Sequence, residues 1–212
     1  MSPFSTKSPA RSEKNPCEPA YYNDLEGTLR EAWRLLRMGV TDRRSAFHTP
    51  MVATVSEDGS PALRTVVLRA ADADKRTLRF HTDVRSAKFG ELWAAPRVAL
   101  GFYDPVTKVQ LRVDGTATLH TYDALGLDAW RGTRPISRAC YRILPAPGSK
   151  IGDPRRVEAV EGEGHSDAGA DNFAAVLVAV DRLEWLYLAA RGHRRARFTW
   201  DEEGMEAVWL VP

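Results

Sequence analysis

The chain has little that would tie it to an oxidising compartment, a membrane or a nucleic acid. Its 212 residues include two cysteines, Cys17 and Cys140, far apart and in no CxxC pattern. That argues against a disulfide framework or a structural zinc motif, and a cytoplasmic protein is expected. No run of 18 apolar residues occurs, and the first 19 residues lack the apolar core of a signal peptide. Neither charge dominates: 30 Lys and Arg stand against 28 Asp and Glu, a formal +2, so no strong pull toward nucleic acid or anionic membrane is expected. HExxH, GxSxG and GxxxxGK[ST] are missing, and His48, His81, His120, His165 and His193 fall in no metal-ligand spacing. A hydrolase triad or metal centre is not expected.

What is present is enough for one core, since 43% of the residues are hydrophobic. Residues 1–20, rich in Ser, Pro, Lys and Glu, read as a disordered tail before a single domain over 21–212. Leu25, Leu29, Ala32, Trp33 and Leu36 have helical spacing, with Asn23-Asp24 as a start and Gly39 as a stop. From Met51 the period changes to that of strands. Expected strands run over 51–55, 62–69, 77–82, 98–103, 108–120, 174–180, 183–188, 194–200 and 205–211. A short helix carrying Phe89, Leu92 and Trp93 on one face should end before Pro96. Two helical pieces follow at 122–131 and 136–142. A long loop at about 145–172 has no periodic pattern and is either mobile or a lid. Antiparallel hairpins in this number close on themselves to remove their edges, so the fold class is mainly β, a β-barrel with flanking helices.

Candidate chemistry concentrates between Arg64 and Gln110. A strand that ends in Thr82-Asp-Val-Arg-Ser-Ala-Lys88 and opens a helix leaves unpaired amides beside the positive end of the helix dipole. Arg85, Ser86 and Lys88 add donors suited to a phosphate monoester. The same residues also fit an ordinary helix start capped by Asp83 or Ser86. In Arg64-Thr-Val-Val-Leu-Arg69, alternation sets Arg64 with Val66 and Leu68 on one face and Arg69 on the other. Arg64 is then either a second phosphate clamp or an arginine whose head snorkels to water. Gln110 carries both donors and an acceptor and matches the edge of a flavin pyrimidine; a glutamine facing water fits as well. Arg191-Gly-His-Arg-Arg-Ala-Arg197 is either a solvated basic turn or a strand presenting Arg195 and Arg197 to a ligand.

Taken in order, Met51-Val-Ala-Thr-Val, Asp58-Gly-Ser-Pro-Ala-Leu-Arg-Thr-Val-Val-Leu-Arg69, Phe80-His-Thr-Asp-Val-Arg-Ser-Ala-Lys88, Val109-Gln-Leu-Arg-Val-Asp-Gly115 and the closing Arg197-Phe-Thr-Trp resemble the pyridoxamine 5′-phosphate oxidase family. The resemblance covers roughly 22–142 and 173–212. It implies a Greek-key-like FMN-binding split β-barrel and a homodimer with FMN at the subunit interface. It implies that Arg64, Thr65, Val66, Val67 and Arg69 line the flavin, continued by His81 and Thr82. Ser86 and Lys88 would hold the phosphate, Gln110 would face the ring, and Arg197 would approach from the C-terminal end. The family's Arg-Lys pair reads Ala87-Lys88 here, and Arg85 is the candidate replacement. For substrate, the resemblance points to Arg69, Arg134 and Ser137, and to His193 and Arg195 where the family's Arg-x-His pair is not reproduced. The sequence is closer to the pyridoxamine-oxidase-related branch of unassigned substrate. It implies an oxidoreductase passing hydride between a small organic substrate and FMN. The alternatives are an authentic pyridoxamine or pyridoxine phosphate oxidase, and a non-catalytic flavin- or haem-binding protein.

Overall fold

A computed structural model describes residues 19–157, 167–188 and 192–212. The expected tail lies outside these residues except for its last two. Among the described residues nine strands form one antiparallel sheet: β1 (Met51–Val55), β2 (Pro61–Thr65), β3 (Leu68–Asp72), β4 (Thr77–Asp83), β5 (Arg97–Asp104), β6 (Val109–His120), β7 (Phe173–Tyr187), β8 (Arg194–Asp201) and β9 (Gly204–Leu210). The order is β2-β1-β5-β6-β7-β4-β3, with β8 and β9 continuing from β7.

The two ends of that order, β2 and β3, are joined by only Val66 and Val67. Three residue steps reach at most about 11 Å, so the sheet must curl until its far edges nearly meet. The edges do not pair, and the sheet is not closed into a barrel. The mainly β fold is as expected; full closure is not.

Two strand boundaries differ from expectation. The run 62–69 is broken because the Val66 amide donates to the Pro50 carbonyl at 3.0 Å, and the chain then changes partner from β1 to β4. The runs 174–180 and 183–188 are one strand carrying a bulge: Asp114 pairs with Arg182 and Gly115 with Val180, leaving Asp181 over. One split and one merger give nine strands.

Helix α1 (Leu25–Thr41) starts where Asp24 accepts from the Glu26 and Gly27 amides, and it packs Ala32, Trp33, Leu35 and Leu36 into the core. Gly39 is not its stop. It lies inside the helix, where an added Cβ would sit 2.5 Å from the Phe47 carbonyl oxygen. Helix α2 (Ala87–Ala94) buries Leu92, but Trp93 is 77% exposed, contrary to the expected face. Helices α3 (Ala124–Arg131) and α4 (Pro135–Arg138) follow β6.

The main core fills the inside of the curl with Leu68, Leu78, Phe80, Leu111, Val178 and Phe198. A smaller cluster of Ala129, Trp130, Tyr141, Phe173 and Ala175 seats α3 on the outside of β7. The far end of the 145–172 loop is pinned there. The Trp130 indole donates to Asp167 at 2.9 Å and the Asn172 amide to the Tyr141 carbonyl at 2.8 Å. Residues 158–166 of that loop lie outside the described residues. Among the described residues no helix is long and apolar enough to cross a membrane.

Candidate flavin site

The start of α2 gathers four residues of the predicted set. Lys88 Nζ donates to Thr82 Oγ1 at 2.6 Å, and Thr82 Oγ1 lies 3.0 Å from Ser86 Oγ. Arg64, from β2, reaches the same helix: its Nη2 is 2.7 Å from Glu91 Oε2, and its Nη1 donates to Thr54, which also bonds Glu91. Burial pushes the Lys88 ammonium down to about 8, helped by Arg64 and opposed by Glu91 and Asp83. A buried cation that gives up its proton this readily lacks compensating negative charge, which is the condition an incoming phosphate relieves. Ser86 stands at the N-cap without making a side-chain cap bond; its hydroxyl donates to the Asp83 carbonyl instead, at 2.7 Å.

Arg85 is engaged elsewhere. It grips Asp83 through Nε at 2.9 Å and Nη2 at 2.7 Å, and its Nη1 donates to the Ile143 and Leu144 carbonyls. The expected replacement for the missing phosphate arginine is thus a tie between β4 and the segment after α4. Of the 64–69 stretch, Thr65 is exposed with its hydroxyl on Met51 sulfur, Val66 is buried and Val67 half-buried.

His81 and Thr82 do not form one wall. Neighbours in a strand point to opposite faces, and Thr82 turns toward Lys88 while His81 turns outward. His81 shares a second cavity, of about 330 Å³, with Arg69 and Arg134. Its ring nitrogens are buried with no hydrogen-bond partner among the described residues, and burial, then Arg79 and Arg69, pushes its pKa down to about 3. Ser137, on α4, does not line this cavity.

Gln110, Arg195 and Arg197 occupy a third place, the outward face of the sheet. The pairing register sets Tyr103, Gln110, Leu186 and Arg195 in one row, and Met51, Gly101, Arg112, Glu184 and Arg197 in the next. Glu184 receives Arg195 at 2.7 Å and Arg112 at 3.5 Å; burial would raise its pKa, but these cations with Arg182 bring it below the usual carboxylate range. Arg197 Nε is buried with no partner among the described residues. Gln110 lines a hollow with Thr49, Met51, Gly101 and Tyr103. His193 and Arg195 line another, beside Trp209 and Asn23.

A family model described as "Pyridoxamine 5'-phosphate oxidase, FMN-binding domain" matches residues 30–121. A protein of Anaeromyxobacter dehalogenans named pyridoxine/pyridoxamine 5'-phosphate oxidase is 31% identical over 169 residues, 76% of this chain and 83% of the relative. The chain belongs to the pyridoxamine 5′-phosphate oxidase family. A member of the same name from Gluconobacter oxydans is 30% identical over 169 residues, covering 76% of this chain and 82% of its own. Among solved structures, PhzG from Burkholderia lata, in complex with tetrahydrophenazine-1-carboxylic acid, superposes with a TM-score of 0.69 at 19% identity, over 92% of this chain and 97% of that one. A pyridoxamine 5'-phosphate oxidase-related, FMN binding protein from Nostoc punctiforme gives 0.68 at 24%, over 86% and 96%. At these identities the two structures share the split-barrel fold of the pyridoxamine 5′-phosphate oxidase family with this chain.

Four residues that matter to these cavities were not singled out from sequence. Thr54 and Glu91 complete the Arg64 cluster, and Arg43 and Arg79 line the His81 cavity. Glu91 is three residues beyond Lys88, one helical turn, so its place beside Lys88 was readable once α2 was assigned. Arg43 and Arg79 carry no motif.

Proposed function

We propose that the protein binds FMN and acts as an oxidoreductase, with hydride passing between a small organic substrate and the flavin. The observation that carries this reading is the convergence of Arg64, Lys88, Ser86 and Thr82 at the start of α2, with an undercompensated Lys88 ammonium. Those donors fit a phosphate monoester. FMN, when bound, supplies the two-electron chemistry; this chain supplies binding and orientation. In that reading Lys88 and Arg64 hold the phosphate, and Gln110 reads the ring edge. Thr65, Val66 and Val67 run along the flavin at the sheet edge. Arg85 supports the site by fixing Asp83 and the chain after α4.

The predicted ligands lie on two faces of the sheet, which supports a homodimer. Gln110 and Arg197 of one chain would then meet the ring of a flavin whose phosphate the other chain holds. Arg69 and Arg134, sharing one cavity, are proposed as the substrate-anion residues; Ser137 stands outside that cavity on α4, and His193 and Arg195 line the separate hollow beside Trp209.

Purified protein should be yellow and release FMN on denaturation. Added FMN at a hundred times its dissociation constant should stabilise flavin-free protein by about 2.7 kcal/mol. Lys88→Ala combined with Arg64→Ala should abolish flavin retention, since each charged hydrogen bond contributes roughly 1.5–3 kcal/mol. Unchanged flavin content in that double variant would overturn the phosphate assignment.

A second reading is an authentic pyridoxamine or pyridoxine phosphate oxidase, favoured by relatives of that name and by the paired Arg69 and Arg134. Aerobic formation of pyridoxal phosphate from either substrate would establish it. Absence of turnover at saturating substrate would return the assignment to the unassigned-substrate reading.

A further inference from the structure

The cavity floored by β3 and β4 and walled by the end of α1 and by α3 has an unusual charge arrangement. Arg43, Arg69, Arg79 and Arg134 line it, against one carboxylate, Asp128 at the rim. None of these four guanidinium groups has a hydrogen bond or ion pair among the described residues. Other arginines of the sheet do: Arg64 holds Glu91, Arg97 holds Asp181, Arg182 holds Asp114 and Arg195 holds Glu184. Arg79 Nε and both ring nitrogens of His81 are buried with no hydrogen-bond partner among the described residues. Arg69 has its pKa lowered, first by burial, with Arg43 and Arg134 adding repulsion that Tyr141 and Cys140 oppose. Arg69 and Arg79 are half-buried and Arg43 and Arg134 are exposed at the mouth. Like charges gathered around one hollow, two of them partly desolvated, repel one another, and a ligand that supplies the counter-charge relieves this.

The lining also says what that ligand is like. Among the described residues Leu68, Val40 and Ala129 supply its apolar surface, no Phe, Tyr or Trp lines it, and the rest of the lining is polar or charged, including the imidazoles of His48 and His81. Four guanidiniums against one carboxylate leave three positive charges, more than one phosphate monoester neutralises. Planar guanidiniums suit phosphate oxygens taken two at a time. The cavity is separate from the Lys88 cluster, because His81 and Thr82 point to opposite faces of β4.

We propose that this cavity is a polyanion site for a compact ligand with two linked phosphate groups, an organic diphosphate, with Arg79 and Arg43 contributing beside Arg69 and Arg134. It rests on the preceding reading only in making that diphosphate the charged end of the substrate; the site itself stands on the cavity. His48, beside the rim, bonds the Gly39 carbonyl at 2.7 Å and leaves the anion to the arginines.

Inorganic pyrophosphate is the probe, titrated by calorimetry and thermal shift into the flavin-loaded protein, with orthophosphate alongside. Pyrophosphate should bind saturably, at least tenfold more tightly than orthophosphate. Arg79→Gln and Arg43→Gln should each weaken it at least tenfold without changing flavin content. Both variants should melt higher than the parent in ligand-free buffer, because mutual repulsion is relieved; a purely structural arginine would melt lower. Equal affinity for the two anions, no saturable binding, or pyrophosphate binding untouched by Arg79→Gln would overturn the proposal. Protein that binds pyrophosphate yet neither carries nor takes up flavin would sink the FMN reading and leave this site in place.

Discussion

Lys88 shows how one residue's surroundings decide what it can do. In water a lysine ammonium holds its proton to about pH 10.4; here burial and Arg64 bring it to about 8. A phosphate dianion beside it would restore the proton, so flavin binding above pH 8 must take up a proton. The affinity for FMN should therefore be level between about pH 6, where the phosphate dianion forms, and pH 8, and fall as pH rises further, about tenfold between pH 7 and pH 9. Fluorescence titration at the two values checks this, and Lys88→Met should flatten the profile. Glu91 pulls the other way. It already occupies Arg64, so Glu91→Gln should free that guanidinium and tighten FMN, read by the same titration; weaker binding would show that Glu91 serves mainly to aim Arg64.

At the scale of elements, the decisive features are interruptions of regular pairing. The break at Val66-Val67 sends Arg64 and Arg69 to different cavities, and the pleat of β4 does the same for Thr82 and His81. The bulge in β7 stands opposite Gly115, where an added Cβ would lie 2.3 Å from the Ala179 carbonyl oxygen and 2.8 Å from Val178 Cγ1. Backbone cannot yield there as a side chain can. Gly115→Ala should cost about 1–3 kcal/mol of stability, measured by urea denaturation, through overpacking of the β6–β7 seam. A neutral effect would mean that the two strands separate easily at the bulge.

For the whole molecule, the outward face of β1, β2, β5 and β6 matters most. It exposes Leu63, Met51 and Tyr103 at 63, 38 and 48%, next to Gln110 and Arg112. Apolar side chains gathered beside charged ones are typical of a protein interface. If the homodimer forms through this face, Leu63→Glu should yield monomers by light scattering and lower flavin retention, because a site shared between chains is lost with the dimer. A stable, flavin-loaded dimer in that variant would place the interface elsewhere.

Much of this architecture was legible along the chain because it rests on local rules. Strand alternation, the Asp24 cap, the glycine turn at 57–60 and the helix opening at Ser86 depend on neighbours in sequence. So did the facing of Arg64 and Arg69, and the gathering of Ser86, Thr82 and Lys88. The partition of the predicted ligands over three places was not legible, nor was the engagement of Arg85 by Asp83 and two distant carbonyls. Arg43 and Arg79 lie 36 residues apart on different elements, and no spacing rule links them. Periodicity records which side of an element a residue takes; only the curl of the sheet, set by which strands pair, decides which sides then face one another.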